Sequence, residues 1–390
     1  MNNFPEIPFR RLRLGMVGGG SGAFIGAVHR LAARMDDQYE LVAGAFSADP
    51  QKSRAAGVEL RLDPARCYDD FASMAKAEAA RADGIDVVSI VTPNHMHKAP
   101  ILAFLAAGIH VICDKPLALS FEDGLEIEAA IRASGCIFAL THNYSATPMV
   151  RQAREMVAAG EIGEVRLVQV EYPQQWLCMP LEVTGHKQAS WRTDPARSGP
   201  GGCIGDIGTH AYQLADFVTQ VPLLEISAEL STFMPDRRLD DNVQVMLRYQ
   251  NGARGMIWTS QVAVGHENGL RMRVYGSKGA LHWVQADPNY LQFSKLGMPS
   301  ITLTRGGDGS GAAAGRVTRI PSGHPEGYLE AFANIYTEVA RAIVARKRAL
   351  PCPADVLFPD IKDGVKGLAF IEAAIASSKE NAAWVKPRRV

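Results

Sequence analysis

The chain has 390 residues, of which 47% are hydrophobic and 21% charged, and its 41 basic and 41 acidic side chains cancel to a formal net charge of zero. That length exceeds what one hydrophobic core usually serves, so two domains are expected. Charge balance without a Lys/Arg run excludes the electrostatic footprint of a nucleic-acid or anionic-membrane binder, and a small neutral partner fits better than a polyanion.

Arg10-Arg11 has the form of a twin-arginine export signal. The sequence that follows, RLGMVGGGSGAFIG, is needed for the fold and lacks a cleavable apolar segment, so cytoplasmic residence is expected. From Leu12 to Thr141, short β-branched runs alternate with helical segments, the pattern of parallel strands joined by crossover helices. LRLGMV, YELVAGAF, IDVVSIV, GIHVICD and CIFALTH are each nearly continuously apolar, as strands buried on both faces are. The fold class of this half is therefore α/β, a doubly wound parallel Rossmann sheet. The most apolar stretch, ILAFLAAGIHVIC, is too short to span a bilayer and divides into a helix and a buried strand.

After Tyr144 the rhythm changes. PMVRQAREMVAAG is an amphipathic helix, followed by EVRLVQVEY, EISAELSTFM, NVQVMLRYQ, ARGMIWTSQVA, LRMRVYG and GALHWVQ with few helices between them. Asn251-Gly252 and Gly276-Ser277-Lys278-Gly279 supply hairpin turns, so these runs are expected to form one large, mostly antiparallel open sheet of an α+β domain. Gly306 to Gly315 has the composition of a mobile loop, and long helices are predicted over Glu326–Lys347 and Asp360–Glu380. The six scattered cysteines contain no Cys-x-x-Cys and indicate neither a zinc site nor a disulfide framework. No His-Glu-x-x-His occurs, and no metal is expected despite His95-x-His97.

MVGGGSGAFIG follows a strand and opens a helix, the context a dinucleotide fingerprint requires. Gly18 and Gly20 suit its first two positions and Gly26 the third. Ser21, Gly22, Phe24 and Ile25 lie in the extended turn and at the helix start, where backbone amides attract a diphosphate. The second strand ends in Phe46-Ser47-Ala48-Asp49. Ser47 suits a ribose hydroxyl or a 2′-phosphate, Asp49 lies far along, and Lys52 and Arg54 are near enough to help a phosphate. The cofactor is thus NAD or NADP, with NAD the first choice.

Asp206 and His210, four residues apart, share one face of a helix as a carboxylate–imidazole pair. Histidine titrates nearest neutrality, and a carboxylate beside it orients the ring and stabilises its charged form. An alcohol's proton acceptor is the natural use. Lys115, at the carboxyl end of a strand in the first half, lies where open α/β sheets bind ligands.

Taken together, the glycine turn, Thr92-Pro93-Asn94-His95-Met96-His97, Asp114-Lys115-Pro116 and Asp206-x-Gly208-x-His210 resemble the Gfo/Idh/MocA oxidoreductase family over essentially the whole chain. The resemblance implies a dinucleotide-binding Rossmann domain at 1–143 and, at 144–390, a substrate-binding domain whose sheet makes oligomer contacts in a homodimer or homotetramer. It also implies oxidation or reduction of a carbinol on a sugar, cyclitol or related polyol. By position, Thr92, Pro93, Asn94, His97 and Asn143 would line the nicotinamide and its ribose, and Lys115 would reach the reacting oxygen across a cis bond to Pro116. Asp114 stands where the family usually has Glu, which alters its contact. Asp206 and His210 match the catalytic pair, and Trp191-Arg192 the site mouth.

Tyr144, Lys187, Arg192 and His324 complete the candidate substrate contacts, in a linker whose Gln174, Asp194 and Arg197 add polar rim, and Glu326 is expected to favour the start of the helix after it. The expected function is hydride transfer between nicotinamide C4 and a secondary alcohol or ketone. Two alternatives are redox-assisted glycoside processing through a keto sugar and a non-catalytic dinucleotide-bound sugar sensor. All of this supposes that the Lys115 ammonium and the His210 imidazole serve one pyridine ring.

Overall fold

The computed structural model describes residues 10–390. Residues 1–9 of the expected first domain lie outside the described residues. The chain begins with β1 (Leu12–Gly18), α1 (Phe24–Met35), β2 (Tyr39–Ala45), α2 (Pro50–Glu59), α3 (Phe71–Ala79), β3 (Val87–Val91), α4 (Lys98–Ala106), β4 (His110–Cys113), α5 (Phe121–Ser134) and β5 (Phe138–Leu140). Next come α6 (Pro148–Ala158), β6 (Val165–Pro173), the short α7 (Lys187–Arg192) and α8 (Pro195–Ser198), and α9 (Thr209–Thr219). Strands β7 (Leu223–Ser231), β8 (Asn242–Tyr249), β9 (Arg254–Ser260), β10 (Arg271–Gly276), β11 (Gly279–Val284), β12 (Tyr290–Lys295) and β13 (Ile301–Thr304) precede α10 (Ala312–Gly315), α11 (Tyr328–Lys347) and α12 (Ile361–Lys379).

All five apolar runs of the first half form one parallel sheet in the order β2-β1-β3-β4-β5. Every residue of β3, β4 and β5 is buried, which requires helices on both faces and explains why no polar alternation marks them. Helix boundaries follow local chemistry. The Asp49 carboxylate accepts from the Gln51 and Lys52 amides and Pro50 fills the first helical position of α2, while α5 starts under Ser120 and stops at Gly135 with φ of 62°.

The described chain divides into two compact units, residues 10–143 with Tyr328–Val365, and Tyr144–Gly327 with Lys366–Val390. The chain therefore crosses between units three times, where a single cut at 143/144 was expected. The physical reason is α11, whose Tyr336 packs on α1 and β2: its hydroxyl lies 2.8 Å from His29 Nδ1, and its carbonyl accepts from the Tyr39 hydroxyl at 2.6 Å. In the second unit, Tyr212 of α9 stacks on Phe370 of α12 at 4.5 Å.

The second sheet has eight strands in the order β13-β12-β11-β10-β6-β9-β8-β7. Both predicted hairpins pair antiparallel, and the sheet is mostly antiparallel as expected; the one parallel pair is β6 with β9, because β6 enters the sheet between strands formed much later in the chain. β12 and β13 were not anticipated. Gly306–Gly315, expected as a loose loop, closes in α10, with the Gly311 amide donating to Gln152 Oε1 at 2.5 Å. Glu326 is not a helix-start charge but a buried carboxylate that accepts from Arg305 at 3.0 Å and from the amides of Arg319 and Ile320. No helix among the described residues is long and apolar enough to cross a membrane.

Three histidines of the first unit are held neutral, primarily by burial: His29 and His110 fall to about 4 and His142 to about 3. Unfolded histidine titrates near 6.5, so their contribution is complete above that pH and declines as pH falls toward 4, at most about 1.4 kcal/mol per pH unit per histidine. Melting temperature is expected to be flat from pH 8 to 7 and to fall between 6.5 and 4, with a shallower fall in His110→Asn, as followed by circular dichroism.

Candidate active site

The turn after β1 is shaped by what glycine permits. Gly18, Gly19 and Gly22 have φ of 80°, 71° and 75°, in the left-handed region that side chains with a Cβ avoid. A Cβ on Gly26 would lie 2.4 Å from Gly19 Cα, so α1 and the turn touch backbone to backbone, which supports Gly26 as the third glycine of the fingerprint. The turn and α2 enclose a cavity of about 530 Å³ lined by Gly19, Gly20, Ser21, Gly22, Phe24 and Glu59, among others. Ile25 is half-buried in the first turn of α1.

At the end of β2, Asp49 is committed to capping α2, and Ser47 Oγ accepts from the Asp49 amide at 3.1 Å. Arg54 is paired with Asp69 at 2.8 Å, and Lys52 Nζ lies 3.9 Å from Asp49.

Two further turns at the carboxyl ends of β3 and β4 carry Thr92-Pro93-Asn94 and Asp114-Lys115-Pro116, and the Lys115-Pro116 bond is cis. His97 joins them: Nδ1 is 2.8 Å from the Pro116 carbonyl and Nε2 is 2.8 Å from the Thr92 carbonyl. With 0% exposure its ring has no surface to offer a nicotinamide, so His97 braces the turns rather than lining a ligand, and burial lowers its pKa. Asp114 Oδ1 accepts from the Lys115 amide and the Thr141 hydroxyl, both at 2.9 Å, and so anchors the lysine's backbone. The Lys115 ammonium is the second cause, after burial, of the depressed His142 pKa. Asn143 is 2% exposed, and its Nδ2 donor has no partner among the described residues. A buried amide donor left unpaired calls for an acceptor such as a carboxamide oxygen. Together with the open glycine turn, it fits a nicotinamide dinucleotide.

In the second unit a π-turn over Ile204–Gly208 runs directly into α9, and Asp206 and His210 lie on either side of that junction. Buried Asp240 caps the start, with Oδ1 accepting from the Gly202 amide at 2.7 Å and Oδ2 from the Ile204 amide at 2.8 Å. Burial raises the Asp240 carboxyl to about 6 against the lowering effect of those two donors. Asp206 Oδ2 accepts from Gln261 Nε2 at 2.9 Å and Arg192 Nε at 3.3 Å. Arg192 lies 4.2 Å over the Trp191 ring and 5.9 Å from that of Trp176, and donates to Gln188 Oε1 at 2.5 Å. His210 is 7% exposed, with its ring edge-on to Tyr144 at 5.0 Å and Tyr172 at 6.2 Å. The two tyrosine hydroxyls are 2.7 Å apart, and burial raises the Tyr144 phenol.

The structure thus brings Tyr144, Trp191 and Arg192 into the surroundings of Asp206 and His210. Lys187 is exposed at the start of α7. His324 is also exposed, with its carbonyl held by Arg305. Gln261, Asp240 and Tyr172 were missed. Asp240 alone carried a signal, an acidic pair just ahead of a strand.

A glycine turn of this build, at the head of a doubly wound sheet, is made to take a diphosphate, which puts the chain among the dinucleotide-dependent oxidoreductases. It belongs to the Gfo/Idh/MocA family: residues 12–142 match the oxidoreductase family with NAD-binding Rossmann fold, and residues 150–282 match the GFO/IDH/MocA C-terminal domain. The chain is 36% identical to the uncharacterized oxidoreductase YfiI of Bacillus subtilis over 99% of both chains. Among solved structures it is similar to an oxidoreductase from Sinorhizobium meliloti, at 53% identity and TM-score 0.89, covering 97% of this chain and 100% of that one. It is also similar to an inositol dehydrogenase homolog from Azotobacter vinelandii complexed with NADH and myo-inositol, at 36% identity and TM-score 0.92, covering 99% and 100%. The expected family and fold class are borne out.

Because the Gly26 contact is with backbone, Gly26→Ala is expected to destabilise the first unit by on the order of 1–3 kcal/mol. Gly22→Ala, where a Cβ meets nothing within 4 Å, carries only the cost of its positive φ. Denaturant midpoints for the two variants check the order.

Proposed function

We propose that the protein is an NAD-dependent dehydrogenase acting on a secondary alcohol of a cyclitol, sugar or glycoside. The observation that carries it is the Asp206–His210 helix start, with Asp206 held by Arg192 and Gln261 and His210 walled by tyrosines, in a chain 36% identical to an inositol dehydrogenase homolog complexed with NADH and myo-inositol. The dinucleotide, when bound, supplies the hydride acceptor. His210 accepts the hydroxyl proton, Asp206 orients the imidazole and stabilises its charged form, and Lys115 stabilises negative charge developing on the oxygen. Thr92, Pro93, Asn94 and Asn143 serve the nicotinamide side, while Tyr144 and Arg192 border the alcohol. NAD is favoured over NADP by the similar inositol dehydrogenase homolog complexed with NADH, and Arg54, one of the two nearby cations, is paired with Asp69. The six free thiols, three of them buried, support residence in a reducing cytoplasm.

Side-by-side reduction of NAD and NADP with a panel of inositols, sugars and glycosides tests this reading. Faster NAD reduction by at least one member is expected, and no reduction by any would overturn it. His210→Ala is expected to lower turnover by on the order of a hundred- to ten-thousand-fold while leaving NADH binding, read by its fluorescence, intact.

We propose also that the open face of the eight-stranded sheet joins copies of the chain into a homodimer or homotetramer. Leu167, Met246 and Met256 project from it at 50%, 52% and 40% exposure. Light scattering is expected to report an oligomer for the native protein and a smaller species for Met246→Asp.

A further inference from the structure

We infer that Gln261 is a positioning residue that holds Asp206 ionised and fixed in rotation; this rests on the proposed role of Asp206 beside His210. Gln261 directly follows β9 and is 2% exposed. Its amide donates to the Asp241 carbonyl at 2.8 Å and its carbonyl accepts from the Leu177 amide at 3.0 Å, so the main chain is held on both sides. The side-chain amide then reaches Asp206 Oδ2 at 2.9 Å, closer than the 3.3 Å of Arg192 to the same oxygen. Arg192 is also shared with Gln188 and stacked on Trp191, at 24% side-chain exposure.

The chemistry of the two donors differs. An arginine that pairs with a carboxylate cancels its charge. A neutral amide favours the ionised form while leaving the negative charge to act on an imidazolium. A buried carboxamide is costly unless bonded, and the bond this one makes is to the carboxylate of the acid–base pair.

Two variants separate this role from that of a simple tie between β9 and the π-turn. Gln261→Met keeps the length and removes the donor, whereas Gln261→Glu offers a donor only when protonated. Both are expected to lose roughly ten- to a hundred-fold in kcat/KM for the alcohol at pH 8, the worth of one hydrogen bond to a charged group, with NADH binding unchanged. Measured as a ratio to the native enzyme at each pH, Gln261→Glu recovers on acidification and Gln261→Met does not. Loss of stability in both without that recovery would overturn the inference, as would native pH profiles in both. Should the native protein oxidise no alcohol, the proposed function fails, and Gln261 is then judged by carbon NMR of the Asp206 carboxyl, assigned by its loss in Asp206→Asn. Its titration midpoint is expected to rise in Gln261→Met, and an unchanged midpoint would refute the role.

Discussion

The helix start that carries Asp206 and His210 depends on a carboxylate that is itself shut away from water. Asp240 gives one oxygen to the Gly202 amide and the other to the Ile204 amide, satisfying donors that a helix start leaves without partners. A Cβ at Gly202 would sit 2.3 Å from the Asp240 carbonyl oxygen, so glycine is required for the approach. Burial works against the charge, yet the amides keep the carboxylate useful as a cap. From that fixed point the π-turn, whose hydrogen bonds span one residue more than those of an α-helix, carries Asp206 and runs directly into α9, which carries His210. Asn242 of β8 pairs with Ser260 of β9, so the cap at Asp240 and the amide at Gln261 flank one register pair. One end of one hairpin thus holds both the helix start and the Asp206 carboxylate.

The first unit solves a similar problem without charge. Gly26 lets α1 approach Gly19 backbone to backbone, and the buried His97 ring spans the turns after β3 and β4. Neither residue needs to touch a ligand to matter. Their work is to fix where amides and the Lys115 backbone stand, the kind of preorganisation on which electrostatic catalysis depends.

Much of this was legible in the chain because its signals are local. Continuous apolar runs gave the five parallel strands, and glycine spacing gave the diphosphate turn. Asp49 could have been recognised as a cap, since Pro50 follows it and the pair Asp-Pro opens a helix. The rest depends on residues far apart in sequence. The parallel pairing of β6 with β9 joins Leu167 to Arg254, and no turn between them encodes it. β12 and β13 are half-exposed and polar, so they lack the apolar run that marked the others. Gln261 belongs to no motif, and its partner lies 55 residues away. His97 fitted a motif but was assigned to the wrong surface, because pattern alone does not reveal which face of a turn is dry.

The return of Tyr328–Val365 to the first unit has a bearing on how the molecule is made. The residues that complete the nucleotide-binding core, among them Tyr336 against His29 and Tyr39, are synthesised only after the whole eight-stranded sheet has been translated. On the ribosome, α1 would wait with an uncovered apolar flank while nearly two hundred intervening residues emerge, a span set by the gap from Asn143 to Tyr328. A fragment ending at residue 143 would keep the strands and the glycines yet lack the helix that seals them.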